Sequence, residues 1–435
     1  MRQSLLSRLI SLSMLSAAVL IQAQAAEPQT SNNTPGVASA KLPGPLVKYL
    51  LRYRLEAVDQ QELPENALAN TLLARISLEQ GLGSNWLALV ETDYVTELVD
   101  KDYNDSLNGL SRYPGVADPA GADLNQLYLQ YQQPGQQLKI GRQRINLHNE
   151  RFVGGVGWRQ NEQTFDAVRY QAGLWSDLSL DYSFSNKINR IFGSKSPQGD
   201  WQADLHLLNL QYQPQSIGQA GHTIKWALFV YQMDFASAPA VLSQTAATPG
   251  ALASNLSYGL DVNMQQLLPG TSQLYQLYAA VARQQDSGDN PNQYNSKFWT
   301  LEATVLLSQP QGQGLWQLGA GIEHLGSDNN IGFATPLATL HKFQGFADKF
   351  LTTPAQGIED KYLKLGYKMQ AFDAMLKYHW FDAAKGPQQY GKEFDVQLGY
   401  QLDQHHHVML KYAAYQADDL YQNTDKFWLM WLMKY

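Results

Sequence analysis

The 435-residue chain contains no cysteine, so its fold cannot depend on disulfide bonds. After residue 25 it has no apolar run approaching the roughly eighteen residues that indicate a membrane-spanning helix. Charged residues make up only 16% of the chain, and the formal net charge of −7 predicts no nucleic-acid partner. A chain with these properties can form either two or three soluble domains or one large β-barrel. Aromatic residues, in contrast, are abundant, with 24 Tyr, 15 Phe and 10 Trp.

The first residues follow the order of a secretory signal peptide. Arg2 and Arg8 give a basic start, residues 9–21 form a short apolar core, and the sequence AQA ends at Ala25. The core is too short to span a membrane as a helix. We therefore predict Sec-type export with removal of residues 1–25, and an N-terminal periplasmic segment over residues 26–45.

Beyond residue 45 the apolar residues repeat with a period of two. In the sequence VKYLLRYRLEA, Tyr49, Leu51 and Tyr53 share one face, whereas Arg52 and Arg54 share the other. Such alternation is typical of a β-strand with one apolar and one polar face. The pattern recurs to the end of the chain and predicts an all-β protein.

Eighteen stretches qualify as strands, and most are long enough to cross a membrane when tilted. They are 46–57, 70–79, 85–95, 123–131, 137–146, 163–171, 175–184, 201–213, 222–234, 252–263, 272–284, 296–308, 314–325, 360–369, 371–382, 392–402, 406–416 and 425–435. We predict one antiparallel transmembrane barrel of about 18 strands over residues 46–435. The first and last strands should pair and close it.

Short connections alternate with long ones along the chain. The connections GLGS and QQPGQ are short, whereas 96–122, 147–162 and 326–359 are long. Short periplasmic turns opposite long external loops are typical of outer-membrane barrels. The sequence thus predicts the outer membrane of a Gram-negative bacterium, with lipid and lipopolysaccharide as surroundings. A soluble periplasmic β-sandwich would alternate in the same way but would not explain this rhythm.

Positive charge is concentrated between Lys139 and Arg169, which enclose five of the thirteen arginines. These five are Arg142, Arg144, Arg151, Arg159 and Arg169. We expect Arg142 and Arg144 to share the lumen face of one strand, with Arg169 on the lumen face of the next. Two uses remain open. The arginines could attract permeating anions, or they could pair with Glu150, Glu162 and Asp166 and hold the loop in place. Lys139, Arg52 and Arg54 join the same set of candidate pore residues.

Two blocks resemble the alginate export porin family. They are GRQRINLHNERFVGGVGWRQNEQTFDAVR and FATPLATLHKFQGFADKFLTTPAQGIEDKYLKLGY, which spans Phe333 to Tyr367. With the strand count, the resemblance covers most of the exported chain. It implies an eighteen-stranded barrel with an electropositive constriction, and passive passage of anionic solutes or an acidic polysaccharide. A general-diffusion porin or a porin for uptake of small organic acids is the alternative. The oligomeric state stays open, and no cofactor or metal is expected.

The connection 326–359 is unusually apolar for a solvated loop. We expect it to pack partly inside the lumen, since buried apolar surface stabilises by about 25 cal/mol per Å². The candidate plug residues are Phe333, His341, Lys342, Phe343 and Phe346. A docking surface for a partner protein is the alternative.

A barrel enzyme is a remote alternative, because it needs a nucleophile, a base and an orienting group within reach of one another. The histidines are scattered at His148, His206, His222, His324, His341 and His379, and none has a recognisable serine partner motif. We therefore expect a channel rather than an enzyme.

Overall fold

Eighteen strands of a computed structural model form one antiparallel sheet that closes on itself. The structure describes residues 44–99, 102–214, 222–236, 251–268, 271, 273–308 and 314–435. The predicted signal peptide and nearly all of segment 26–45 lie outside these residues. Within the described ranges, no helix is long and apolar enough to cross a membrane. The eighteen-stranded barrel predicted from the alternation is confirmed.

The strands agree with the sequence prediction to within a few residues. In chain order they are β1 Leu46–Gln60, β2 Ala67–Gly81, β3 Trp86–Glu97, β4 Gly121–Gln133, β5 Gln136–Gln143, β6 Thr164–Gly173, β7 Leu178–Asn189, β8 Asp200–Tyr212, β9 His222–Phe235, β10 Asn255–Leu267, β11 Leu274–Asp286, β12 Asn295–Ser308 and β13 Leu315–Leu325. A two-residue hairpin, β14 Ser327–Asp328 and β15 Ile331–Gly332, lies outside the barrel sheet. The barrel continues with β16 Ile358–Met369, β17 Phe372–Asp382, β18 Gln389–Gln401, β19 His406–Ala417 and β20 Thr424–Lys434.

The ring closes between β1 and β20, as predicted. Leu51 lies opposite Met433, and Leu55 lies opposite Leu429. The Tyr49 N–H donates to the Tyr435 carbonyl at 2.8 Å, and the Tyr435 N–H donates back at 2.9 Å. These bonds satisfy strand edges that would otherwise be open to lipid.

Alternation along each strand separates an apolar outer face from a polar inner one. Leu129, Ile140 and Val168 lie side by side on β4, β5 and β6, and their side chains are 47%, 47% and 41% exposed on the outside. Arg52 and Arg54 are buried on the inside, at 7% and 1% exposure. The outer row suits lipid contact and the inner row suits a polar lumen.

The two ends of the barrel differ. Short turns such as 82–85, 134–135, 370–371 and 402–405 lie at one end, which is also where β1 begins and β20 ends. The longer connections lie at the other end. Two of them matter most here: residues 144–163, named the arginine loop, and residues 326–357, named the phenylalanine loop.

One predicted strand ends early. β5 stops at Gln143 rather than at 146. Gly141 has φ +123°, where an added Cβ would lie 2.3 Å from the Leu127 carbonyl oxygen. Just beyond the strand, the Arg144 N–H donates to the Gln126 side-chain oxygen at 3.1 Å instead of to a neighbouring strand. Arg144 therefore belongs to the arginine loop and not to a strand face shared with Arg142.

The β1–β20 register predicts where an introduced disulfide can form. Because the chain has no cysteine, L51C/M433C adds the first two. Residues directly opposite in an antiparallel pair have Cα atoms about 4.5–5.5 Å apart, which suits a disulfide. We expect oxidation to cross-link L51C/M433C and to change the migration of the heated protein in gels without reductant.

The matched control is L51C/L429C, in which the partner is displaced by four residues, roughly 13 Å along the strand. It should remain reduced. A cross-link in the control at equal yield would contradict the register.

Candidate functional site

The arginine loop and the phenylalanine loop lie together inside the barrel. Val153 and Leu337 form a parallel bridge, and the Gly154 N–H donates to the Leu337 carbonyl at 2.9 Å. A few residues further on, the Thr339 N–H donates to the Glu150 carbonyl at 3.1 Å. The two loops thus form one body, held together by backbone hydrogen bonds.

This body carries its own aromatic core. Phe152 packs against Phe333, with ring centroids 5.9 Å apart, and against Phe298 of the barrel at 5.4 Å. Phe333, Leu337 and Val153 have no exposed surface. Packed side chains of the two loops therefore occupy part of the lumen at its long-loop end.

The other candidate plug residues occupy different environments. Phe346 and His341 are buried, whereas Phe343 is partly buried under the Arg151 guanidinium at 4.7 Å. Lys342 is exposed and forms an ion pair with Glu150. The structure thus brings four of the five into the packed body and leaves Lys342 at its surface.

Two carboxylates of β18 hold the tip of the phenylalanine loop. The Ala347 N–H donates to Glu393 Oε1 at 2.7 Å, and the Phe346 N–H donates to Asp395 Oδ2 at 3.2 Å. The turn before them needs glycine, because Gly345 has φ +81° and an added Cβ would lie 2.4 Å from the Glu393 carboxylate. The tip is therefore fixed to the barrel and not only packed against it.

Buried ion pairs connect the arginine loop to β1. Glu56 Oε2 accepts from Arg54 Nη2 at 2.6 Å and from Arg159 Nη1 at 3.1 Å. Arg159 also bonds Asp348 of the phenylalanine loop at 3.2 Å. Arg52 donates to the Gly157 carbonyl at 2.7 Å. Arg52 therefore supports the backbone of the arginine loop. Arg54 and Arg159 share the Glu56 carboxylate, which connects the loop to β1.

A second cluster centres on Glu162, and it includes an arginine that the sequence analysis missed. Arg75 bonds Glu162 at 2.9 Å and Asp93 at 2.7 Å, and Arg144 forms ion pairs with Glu162 and Glu91. Burial alone would raise the pKa of Glu162, but Arg144 and Arg75 hold that pKa well below its usual range. Arg75 lies opposite Asp93 on the next strand, a signal that appears only once the register is known.

Three predicted pore arginines are also paired. Arg151 bonds Glu323 at 2.9 Å and Thr335 at 3.1 Å. Arg169 bonds Asp181 at 2.9 Å on the lumen face. Arg142 bonds Asp166 at 2.7 Å, but on the outer face. The expectation that Arg142 faces the lumen is wrong, because it shares the face of Ile140, two residues away, which lies in the exposed apolar row.

Some lysines inside the barrel, in contrast, have no ion pair among the described residues. They are Lys139, Lys225, Lys349, Lys377 and Lys411. Lys139 lies on the inner face next to Arg169 and stacks over the Tyr128 ring at 4.3 Å. Lys377 lies 5.9 Å from the Phe346 ring and 5.4 Å from the Tyr362 ring. The sequence analysis named only Lys139 of this set, since isolated lysines give no local signal.

The arginine loop and the phenylalanine loop together are named the plug. A chain of polar contacts connects the plug to the barrel through His341. Burial, followed by the charge of Lys411, lowers the pKa of His341 to about 3, so the ring is neutral near pH 7. Its Nδ1 lies 2.8 Å from Asp348 Oδ1, and its Nε2 lies 2.7 Å from Lys411 Nζ. The geometry fits a ring that donates to Asp348 and accepts from Lys411, linking β19 to the plug.

A known family matches the part of the chain that holds the arginine loop. Residues 49–206 match the model of the alginate export family. The resemblance of the block from Gly141 to Arg169 to this family is thereby confirmed. The alginate export match covers a little over a third of the chain and ends before Phe333, so the resemblance of the second block stays a prediction. No curated protein matches the sequence.

Solved porins share the fold of the whole chain. OpdK of Pseudomonas aeruginosa, crystallised with vanillate, is 12% identical with a TM-score of 0.67, covering 91% of this chain and 100% of its own. OccK9 (OpdG) of the same organism is 12% identical, with a TM-score of 0.67 and coverage of 90% and 98%. OccAB4 of Acinetobacter baumannii is 12% identical, with a TM-score of 0.65 and coverage of 91% and 99%. The fold is thus that of outer-membrane porins.

The opposite faces of β5 give a matched test of ion selectivity. K139Q removes a lumen charge, whereas R142Q removes an outer charge three residues away. One charge about 8 Å from a permeating ion contributes about 0.5 kcal/mol in water-like dielectric, roughly a twofold change in ion preference. We expect K139Q to shift the reversal potential of a salt gradient toward cations at low salt, where screening is weakest.

R142Q should leave the reversal potential unchanged. A shift in R142Q equal to that in K139Q would contradict the assignment of the two faces.

Glu162 gives a stability prediction with a defined pH dependence. Its folded-state pKa lies below the unfolded value of about 4.3, so its contribution is present above that pH and is lost as the pH falls. Breaking a buried pair by removing one partner costs about 3 kcal/mol or more. We expect E162Q to lower the free energy of unfolding by about 3 kcal/mol at pH 7, with the difference from wild type shrinking toward pH 3. Urea unfolding in detergent at pH 7 and at lower pH measures the loss of stability and its pH dependence.

The control is E65Q, at an exposed acidic residue, which should change stability by less than about 0.5 kcal/mol. A pH-independent deficit in E162Q would point to packing rather than charge.

Proposed function

We propose that the protein is an outer-membrane channel for small organic anions, with its short-turn end in the periplasm and its long-loop end outside. The two loops packed inside the mouth of the barrel are the observation that carries this proposal. Barrels of sixteen to eighteen strands otherwise leave an aqueous channel. Here the two loops occupy the lumen and are fixed by buried ion pairs, so passage is limited to small solutes. Sec-type export and the outer-membrane location belong to the same proposal.

Three lysines of the inner face supply positive charge that favours anions. Lys139, Lys225 and Lys377 lie on the inner face of the barrel and have no ion pair among the described residues. Rings and rows of cationic side chains are how pores select anions. Three such charges about 8 Å from an ion contribute about 1.5 kcal/mol before screening, roughly a tenfold enrichment. This supports modest selectivity without a tight site.

The neighbouring structures agree with small anionic solutes. The OpdK crystals contain vanillate, a small aromatic carboxylate. At 12% identity this likeness concerns the fold, so the solute is carried over only as a proposal.

Export of an acidic polysaccharide is the second candidate, and the alginate export match over residues 49–206 favours it. A polymer chain would have to pass the arginine loop and the phenylalanine loop. The two candidates therefore differ in whether the plug moves aside.

Solutes of different size distinguish the passage of small organic anions from the export of an acidic polysaccharide. In planar bilayers we expect the wild-type channel to carry acetate and glucuronate and to exclude an oligouronate. Deletion of residues 333–352 should raise the single-channel conductance and admit the oligomer, because the aromatic core of the plug is lost.

Replacement of the exposed residues 61–65 by glycine and serine is the control and should change neither property. Passage of the oligouronate through the wild-type channel as readily as through the deletion variant would favour export. A wild-type channel without anion preference at low salt would overturn the proposal.

A further inference from the structure

A recess of about 320 Å³ opens beside the phenylalanine loop. Apolar side chains such as Phe192, Trp201, Leu340 and Leu351 line much of it, and two arginines, Arg159 and Arg190, also line it. The volume lies near the lower end of the roughly 300–1,000 Å³ found for ligand pockets. It therefore suits a single small molecule rather than a polymer.

Arg190 differs from the paired arginines of the lumen because its guanidinium has no acceptor among the described residues. Its Nε and Nη1 atoms are buried without a hydrogen-bond partner, and the guanidinium forms no ion pair in the described part of the chain. The guanidinium instead lies 3.3 Å from the centroid of the Trp201 ring and 5.6 Å from that of Phe192. The segment 237–250, outside the described residues, contains no Asp or Glu in the sequence.

The indole of Trp201, which lies next to the Arg190 guanidinium, also carries a buried donor. Trp201 Nε1 is likewise buried without an acceptor. Two side chains that line the recess thus carry buried N–H groups without an acceptor among the described residues. Unsatisfied buried donors are unfavourable, and a buried cation without a counter-ion is more so. Burial lowers the pKa of Arg190 to about 9, in keeping with the missing counter-ion.

The other charged groups of the recess are already occupied. Arg159 is bonded to Glu56 and Asp348, and Asp348 also bonds His341. Asp348 further lies 3.5 Å from Lys426. A ligand entering the recess would therefore meet one free cationic group, Arg190.

We propose that Arg190 and Trp201 form a binding site for a small monocarboxylate with an apolar, preferably aromatic, body. A guanidinium presents a planar fork of donors that matches a carboxylate. Phe192, Leu340 and Leu351 would cover the apolar body of the ligand. This inference rests on the proposed channel function, since it places a subsite on the anion pathway at the long-loop end.

Block of chloride current by benzoate tests the site. Benzoate added at the long-loop side of a single wild-type channel should reduce the chloride current in a saturable way. Benzamide, which lacks the charge, and acetate, which lacks the apolar body, should block at least tenfold more weakly. R190Q should weaken the benzoate block at least tenfold, measured relative to the chloride current of the same variant without benzoate.

The matched control is R283Q, which removes an arginine from the outer face near the same end and should leave the block unchanged. R190K keeps the charge but loses the fork, and it should weaken the block by a smaller factor. It also serves as the test variant if R190Q does not form heat-modifiable barrels.

Unchanged benzoate block in R190Q or R190K would overturn the site, as would equal block by benzamide or acetate. If the wild-type channel stays anion-selective in these cases, the subsite fails while the proposed function stands. A wild-type channel without anion preference would instead reject the proposed function itself.

Discussion

The arginine loop is held inside the lumen by buried ion pairs that join it to opposite charges on the barrel. Glu162 lies between Arg75 and Arg144, and Glu56 lies between Arg54 and Arg159. Removing one member would leave buried charges with fewer partners, at a cost of several kcal/mol. Electrostatic pairing with the barrel and apolar contacts with the phenylalanine loop thus hold the arginine loop together.

The pairing of buried charges also couples distant parts of the barrel. Arg159 reaches Asp348, which bonds His341, which in turn bonds Lys411 of β19. This chain connects the arginine loop, the phenylalanine loop and the barrel near its closing strands. A change at one end alters the charge balance of buried groups at the other. The plug therefore behaves as part of the barrel's interior rather than as a separate lid.

The sequence predicted the fold far better than the site. A period of two identifies strands and faces, so the strand number and the closure of β1 on β20 could be read directly. Pairing partners depend on register, which alternation does not specify; Arg75 opposite Asp93 was missed for that reason. The error at Arg142 was avoidable, because Ile140 two residues earlier already marked that face as apolar. Arg190 is conspicuous only for lacking a partner, a property that no sequence displays.

The density of arginine in a sequence is accordingly a poor measure of anion affinity. A guanidinium held about 3 Å from a carboxylate acts on a distant ion as a dipole, and the field of a dipole falls off faster than that of a charge. Arg144, Arg151 and Arg159 are each paired with a carboxylate in this way, so they hold the loops in place without strongly charging the lumen. In the proposed channel, the long-range field comes from lysines without an ion pair among the described residues, such as Lys139 and Lys377. The proposed short-range recognition comes from Arg190, so the arginine cluster and the proposed anion pathway have different physical roles.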